Sequence, residues 1–446
     1  MADRALVHGL AIAGAATVRA LQARGYEVVA SDDRPDDAKT ALADELGVEF
    51  VPAPDDAELR RLVASSAIVS PAPGIPETHT IVGLAAQAGI ALRSEIDLAY
   101  EWEQSRPGGP RPMLTVTGTD GKTTSTLLAV HILAAAGLRS VACGNTEVPL
   151  VDALDLDIDV FVVEATSFRL AWTPMFRSEA AAWLNLAEDH LDWHVDMGTY
   201  EAAKARIWAN MRESDVAIGS VTDPIVMRNH ERVVGRRVTF GASGADYRLV
   251  DGVLSSPHGD LCAVADMARS FPHDITNGLC AAALVLETGL ADIGSVAEGI
   301  ATFTGPPHRI EHVGRFAGVD WYDDSKATTP HAALTAISGF ESVVLIAGGR
   351  NKDLDLSPMA ARPERMRAVV TIGEAAPLVA EVFADVCPVI AAGDMAHAVP
   401  AAADVAQPGD VVLLSPGCAS YDAYSGYAAR GDDFVDHVRA LAREDT

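Results

Sequence analysis

Met113-Leu114-Thr115-Val116-Thr117-Gly118-Thr119-Asp120-Gly121-Lys122-Thr123-Thr124 is the stretch on which the fold class turns. Residues 113–117 are apolar and β-branched and read as a buried strand, a glycine loop follows, and a helical pattern runs on to about residue 136. A strand that feeds a helix through such a loop presents backbone N–H groups and a helix N-terminus to phosphate; Lys122 adds positive charge and Thr123 a hydroxyl for Mg²⁺. Two residues separate the glycines where the common P-loop has four, so this is a short form of that loop. The alternative is an ordinary glycine turn, which the flanking strand and helix disfavour.

Further along, residues 159–164 and 181–185 read as buried strands of the same α/β unit. Glu164 ends the first, and Glu188-Asp189-His190 follows the second, so both are placed to reach one sheet edge. Carboxylate and imidazole ligands there suit Mg²⁺ bound to ATP, although a Glu-Asp-His run in isolation reads as a solvated turn. His194 reads as a surface histidine. Lys204, inside the helical sequence Tyr200-Glu201-Ala202-Ala203-Lys204-Ala205-Arg206, reads on its own residues as a solvated lysine.

Upstream, residues 5–8 form a short apolar strand that enters Gly9-Leu10-Ala11-Ile12-Ala13-Gly14, followed by a helix to about residue 24 and a strand over 27–30. This is a Rossmann-like opening, but the loop lacks G-x-G-x-x-G spacing, so a nicotinamide enzyme fits poorly. Asp32, Asp33 and Arg34 close the second strand, where such folds read a ribose or base. Pro71, Pro73, Gly74 and Pro76 break the strand over 67–70. Gln104-Ser105-Arg106-Pro107-Gly108-Gly109-Pro110-Arg111-Pro112 has turn formers and no periodicity, and reads as an interdomain linker. Gly305-Pro306-Pro307 ends a helical stretch over 296–303 and opens a third alternating region. There, strands over 343–347, 368–372, 389–391 and 411–414 precede a last helix over 426–442. Asp323-Asp324-Ser325-Lys326-Ala327-Thr328, Gly348-Gly349-Arg350-Asn351-Lys352 and Ser415-Pro416-Gly417-Cys418-Ala419-Ser420 all sit at strand ends, which suggests a ligand cleft on one edge; for the first of them a plain helix cap is an equal reading.

At 446 residues the chain accommodates about three domains of roughly 150 residues each. The expectation is an α/β protein with a Rossmann-like domain over 1–106, a central P-loop-type ATPase domain over 113–305 and a Rossmann-like domain over 306–446. Composition is ordinary for a globular protein, with 49 % hydrophobic and 22 % charged residues. A formal charge of -28 argues against nucleic acid and anionic membranes as partners, and no apolar run reaches about 18 residues. The start, Met1-Ala2-Asp3-Arg4, does not read as a signal peptide, and a cytoplasmic monomer is expected. Cys143, Cys262, Cys280, Cys387 and Cys418 form no C-x-x-C pair and read as buried or idle thiols.

Together these motifs resemble the Mur ligase family over nearly the whole chain. The carriers are the loop over 117–124, Leu184-Asn185-Leu186-Ala187-Glu188-Asp189-His190-Leu191-Asp192, Pro307-His308-Arg309, Asp324-Ser325-Lys326-Ala327-Thr328 and the Ser415 to Ser420 loop. The resemblance, closest to the glutamate-adding members, implies an ATP-dependent amide ligase that joins D-glutamate to UDP-N-acetylmuramoyl-L-alanine through an acyl phosphate, in cytoplasmic peptidoglycan precursor synthesis. It implies that Lys122 and the loop from Gly118 to Thr124 hold phosphates. Thr123 and Glu164 would hold one Mg²⁺, and His190 with a carbamylated Lys204 a second. It assigns Asn277, Arg309 and Asp324 to ATP, and Lys326, Thr328, Lys352, Ser420 and Tyr427 to the incoming amino acid. Ile12, Ala13, Asp32, Asp33, Arg34, Gly74 and Asn145 fall to the UDP-sugar.

Several residues depart from the glutamate-adding pattern: Ala11 and Ala13 in the first loop, Thr146-Glu147 after Asn145, Arg169 at the end of Glu164-Ala165-Thr166-Ser167-Phe168-Arg169, Asp274 and Thr329. Arg169 and Glu147 bring charge to the expected muramoyl site. The alternatives are a related ligase using L-glutamate or another amino acid, and a nucleotide-binding regulator without turnover.

Overall fold

The computed structural model describes residues 3–191, 193–352 and 354–444. Met1, Ala2 and Asp192, the last residue of the motif that begins at Leu184, lie outside the described residues. The chain divides into two compact units, 1–303 and 304–446. Among the described residues the strands form three sheets, two in the first unit and one in the second.

The first sheet has four parallel strands in the order Glu49–Pro52, Glu27–Asp32, Arg4–His8, Ile68–Pro71. Both faces are covered, which is why the strand centres are apolar on both sides. Ala5, Val7, Val28 and Ala30 pack on Val18 and Leu21, while Leu6, Val29 and Val69 pack on Leu59, Leu62 and Leu84. Pro71 completes its strand where the sequence reading has it as a breaker. The strand is an edge strand, so a residue without an N–H is tolerated there. Helix Ile12–Ala23 starts directly at the glycine loop; a Cβ on Gly14 would lie 2.0 Å from the Gly9 carbonyl oxygen, so only glycine lets helix and loop meet.

The second sheet orders Gly259–Ala263, Val253–Ser256, Tyr247–Val250, Arg236–Gly241, Val216–Ser220, Ala180–Trp183, Met113–Thr117, Val160–Glu164 and Ser140–Gly144. The chain leaves Met113–Thr117 through helix Lys122–Ala135 toward Ser140–Gly144, and leaves Ala180–Trp183 toward Val216–Ser220 on the other side. The carboxyl ends of these strands therefore form a switch point, where α/β sheets take ligands. The antiparallel meander over 247–263 is absent from the sequence reading: its strands are short, half-exposed and without clear alternation.

The 104–112 segment joins the first sheet to the second, but it is pinned. Arg111 is buried, donates to both carboxylate oxygens of Glu103, and reaches the carbonyls of Leu154 and Leu156. Ala16, Ala20, Ile96, Ala99 and Tyr100 from the N-terminal region share one apolar cluster with Phe161, Val163 and Trp183. That common core makes 1–303 a single compact unit.

The second unit has six strands in the order Glu311–Phe316, Val319–Asp323, Val411–Gly417, Val343–Gly348, Met366–Ile372, Val389–Gly393, the first antiparallel and the rest parallel. Trp321, Ile346, Val370, Leu414 and Phe434 centre its core. Strand Val411–Gly417 runs through Ser415 and Pro416, which the sequence reading places in a loop, because Gly417 pairs with Gly348 and its N–H donates to the Ala327 carbonyl. The last helix is Tyr427–Glu444. Among the described residues, no helix is long and apolar enough to cross a membrane.

Candidate active site

Met113–Thr117 lies between Val160–Glu164 and Ala180–Trp183, all parallel, so three strand ends open on one edge. The loop over 118–121 is shaped by Asn185, whose Oδ1 accepts from the N–H groups of Thr119 and Asp120, each at 2.9 Å. Gly121 sits at φ +82°, and a Cβ there would meet Asn277 Oδ1 at 2.7 Å, so glycine is required twice over. Asn277, buried on helix Pro272–Leu286, also accepts from Ser125 Oγ at 3.1 Å. Lys122 Nζ donates to the carbonyls of Gly118 and Thr119 at 2.9 and 2.7 Å, with Thr123 and Thr124 in the first turn behind it. The residues expected to hold phosphate thus form one nest at a helix N-terminus.

Lys204 is not solvated. Helix Met197–Ala205 carries it under this loop, where it is 1 % exposed, donates to the Gly118 carbonyl at 2.6 Å and stands 4.7 Å over the Tyr200 ring. Burial, joined by the charge of Lys122, holds its ammonium well below the usual lysine range, against the pull of Asp189, Asp120 and Glu164. Glu164 is buried at its strand end; Oε1 accepts from Asn145 Nδ2 at 2.8 Å, while Oε2 has no hydrogen-bond partner among the described residues. His190 adopts φ +57°, rests its ring edge-on against Phe168, and lies 6.2 Å from the Tyr200 ring. An unsatisfied buried carboxylate oxygen and an imidazole beside the loop, with a buried lysine whose charge is disfavoured, fit a divalent cation. His194 corrects the sequence reading, being 2 % exposed, set among Phe168, Trp193 and Tyr200, and 3.2 Å from Glu77.

At the first sheet a cleft of about 860 Å³ gathers every residue expected to meet the UDP-sugar: Ile12, Ala13, Asp32, Asp33, Arg34, Gly74 and Asn145 all line it. Ile12 is 77 % exposed, an apolar side chain presented to the opening. Asp32 is spent on structure: it accepts from the N–H groups of Leu10 and Arg34 and from Lys39 Nζ. Burial opposes its ionisation, but these donors prevail and hold its carboxyl below the usual range. Asp33 is bracketed by His79 at 2.8 Å and His8 at 3.3 Å. Lys39, His79, Arg169 and Trp193 also line the cleft. Trp193 and His79 carried no local signal that sets them apart from core or surface residues.

In the second unit the three strand-end loops do converge. Arg430, 1 % exposed on the last helix, donates to Ser325 Oγ and the Ser325 carbonyl and to the Cys418 carbonyl. Asp324 accepts from Ser415 Oγ at 2.7 Å; burial pushes its carboxyl up to about 7 although Ser415 and Arg309 oppose the rise. Lys326 Nζ donates to the Tyr427 hydroxyl at 2.8 Å and lies over that ring. Ser420 is buried, the Thr328 N–H donates to the Lys326 carbonyl at 2.9 Å, and no hydrogen bond joins Lys352 to Lys326 or Tyr427 among the described residues. Arg430 escaped the sequence reading because its helix is rich in charged residues and nothing local marks one as internal.

Residues 116–283 match the Mur ligase middle domain, and 308–418 match the Mur ligase, glutamate ligase domain. A UDP-N-acetylmuramoylalanine--D-glutamate ligase of Frankia casuarinae is 41 % identical over 460 residues, covering 98 % of this chain and 93 % of that protein. One of the same name from Streptomyces coelicolor is 36 % identical, covering 98 % and 97 %. The chain belongs to the Mur ligase family. Solved Mur ligases share its fold at low identity. MurF of Acinetobacter baumannii gives a TM-score of 0.60 at 16 % identity over 98 % of this chain and 93 % of its own. UDP-N-acetylmuramate-alanine ligase MurC of Thermotoga maritima gives 0.59 at 16 % over 99 % and 100 %.

Within this Mur ligase three of the departures have physical partners. Thr329 caps helix Pro330–Ile337, its Oγ1 accepting from the Ala332 N–H. Asp274 pairs with Arg269. Arg169 is buried between Glu95 and Asn145. Exposed Glu147 has no structural explanation.

Proposed function

We propose that this chain joins D-glutamate to UDP-N-acetylmuramoyl-L-alanine at the cost of ATP, as a cytoplasmic monomer in peptidoglycan precursor synthesis. The relationship along 98 % of the chain to proteins of that name carries the reading; the phosphate nest built on Lys122 and the buried Lys204 support it. Residues 1–106 would take the UDP-sugar in the cleft of Ile12, Ala13, Asp32, Asp33, Arg34, Gly74 and Asn145. Residues 113–305 would take the ATP phosphates, and Asn277 would take ATP as well. Residues 306–446 would supply Arg309 and Asp324 for ATP, with Lys326, Thr328, Lys352, Ser420 and Tyr427 for glutamate.

The acceptor's carboxylate oxygen attacks the γ-phosphorus of ATP, the bond to the bridging oxygen breaks, and ADP leaves. The glutamate nitrogen, having lost a proton, attacks the acyl carbon, and phosphate departs as the amide forms. Lys122 and the amides of the 118–124 loop stabilise charge on the phosphoryl oxygens. Burial disfavours the Lys204 ammonium, and an uncharged amine there would add to carbon dioxide with loss of a proton, giving a carbamate oxygen in place of a cation. Thr123 with Glu164, and His190 with carbamylated Lys204, would hold two Mg²⁺ ions, which when bound neutralise phosphate charge. Lysine and hydroxyl donors at Lys326 and Tyr427 suit the carboxylates of the amino acid.

The test is phosphate release from ATP and Mg²⁺ with UDP-N-acetylmuramoyl-L-alanine, comparing D-glutamate, L-glutamate and no amino acid, with the product mass measured. Release with D-glutamate alone supports the reading. Release with L-glutamate alone replaces the amino acid, and silence with both replaces the acceptor. Lys122→Ala should abolish turnover, and a normal steady-state rate in that variant contradicts the phosphate assignment.

A further inference from the structure

We propose that Lys39 is a positioning residue for the UDP moiety of the acceptor: its ammonium clamps the turn after the second strand and, through Asp32, the glycine loop, in the arrangement that receives the nucleotide. The inference rests on the ligase reading above. Of the 34 Lys and Arg residues only five are lysine: Lys39, Lys122, Lys204, Lys326 and Lys352. That reading gives four of them to phosphate, metal and amino acid. Lys39 is the fifth, and it lines the same cleft as Asp32, Arg34 and the glycine-loop residues Gly9 and Ile12.

The local sequence puts it there. Asp36 caps helix Asp37–Leu46 by accepting from the Lys39 N–H at 2.8 Å, which fixes the Lys39 backbone in the first helical turn. From 33 to 40 every residue is exposed except Lys39, whose side chain returns to the strand end. There Nζ donates to Asp32 Oδ1 at 2.8 Å and to the Arg34 carbonyl at 2.6 Å. Asp32 in turn accepts from the Leu10 N–H through Oδ2 at 2.8 Å and from the Arg34 N–H through Oδ1 at 2.9 Å. One ammonium therefore joins the end of the second strand, the turn at Arg34 and the glycine loop, and these are the segments with which such folds meet a nucleotide.

Two consequences follow from the chemistry of that ammonium. Asp32 is buried and ionised beside a site for a diphosphate, and the cation at 2.8 Å offsets a charge that would otherwise repel the ligand. The two acceptors also converge on a single atom. A lysine Nζ is a point donor that serves both, whereas a guanidinium spreads its N–H groups over a planar fork, so arginine does not reproduce the clamp.

The experiment uses the full-length protein as wild type, Lys39→Met, Lys39→Gln and Lys39→Arg. Calorimetric titration gives the affinities of UDP and of UDP-N-acetylmuramoyl-L-alanine, and kinetics give kcat with the KM of acceptor and of ATP; thermal midpoints are recorded alongside. Lys39→Met keeps the aliphatic stem without the charge or its donors, and Lys39→Gln, which keeps an uncharged donor, carries the test if the first variant fails to fold. Either should weaken UDP about 10-fold or more and raise the acceptor KM in proportion, with kcat and the ATP KM within about twofold of wild type. Lys39→Arg should recover little of that loss. A lowered thermal midpoint with unaltered UDP affinity makes Lys39 a stabilising residue only and overturns the proposal. Full recovery by arginine overturns it too, as do equal losses for UDP and ATP, which would mark a general disturbance. A wild type that binds no UDP refutes the ligase reading of the cleft itself, and the proposal falls with it.

Discussion

Lys204 shows how one side chain's chemistry is reversed by where the fold puts it. Its helix sequence is that of a solvated lysine, yet the ammonium ends under the Gly118 carbonyl at 2.6 Å with Lys122 adding repulsion, and its charge is disfavoured. Lys204→Ala should lower kcat by about 10²-fold or more, and short carboxylic acids added in solution should restore part of the rate by supplying the missing oxygen. Unaltered activity in the variant, or no rescue by any acid, counts against a carbamate there. Asp324 makes a pH prediction. Burial raises its folded carboxyl to about 7 from 3.8, so the folded state binds that proton more tightly than the unfolded chain does. Its contribution is full below about pH 4 and is lost as pH rises through about 7. Urea unfolding of wild type against Asp324→Asn should therefore show the wild type losing stability relative to the variant across that window, and parallel curves would contradict the assignment. The placement of Gly121, Lys122 and Thr123 at a loop that opens a helix was legible in the sequence because it follows from neighbours in the chain. His194, Arg430 and the buried state of Lys204 were not, since a charged residue on a helix looks the same whether another element covers it or water does.

Among the elements, the 104–112 segment joins two sheets but is no flexible tether, because Arg111 inserts its guanidinium between Glu103 and the carbonyls of Leu154 and Leu156. Arg111→Ala would strand Glu103, 2 % exposed, and should cost about 3–5 kcal/mol. Denaturant midpoints should report the loss, with faster amide exchange in helix Glu95–Gln104. A variant as stable as wild type would mean that the pair is not holding the segment. Strand Met113–Thr117 matched the sequence reading residue for residue, since an apolar run ended by a glycine loop has sharp edges. Strand Val411–Gly417 overran its expected end because pairing with Val343–Gly348, a partner distant in sequence, carries it through Pro416.

The whole molecule consists of two compact units, and the second has its own apolar core around Trp321, Ile346, Leu414 and Phe434. Residues 304–446 expressed alone should fold cooperatively, with dispersed amide resonances and a single thermal transition. An aggregated or structureless fragment would show that this core is insufficient. What the sequence by itself determined is the alternation of strands and helices, the phosphate loop and the family, all set by local periodicity and by short motifs whose chemistry lies within a few residues. What only the tertiary structure decided is which charges went inside. Lys204, Arg169, Arg430, Asp324 and Glu164 become buried through elements far away in the chain, and burial is what turns each of them from a solvated side chain into a group with a shifted charge or a fixed direction.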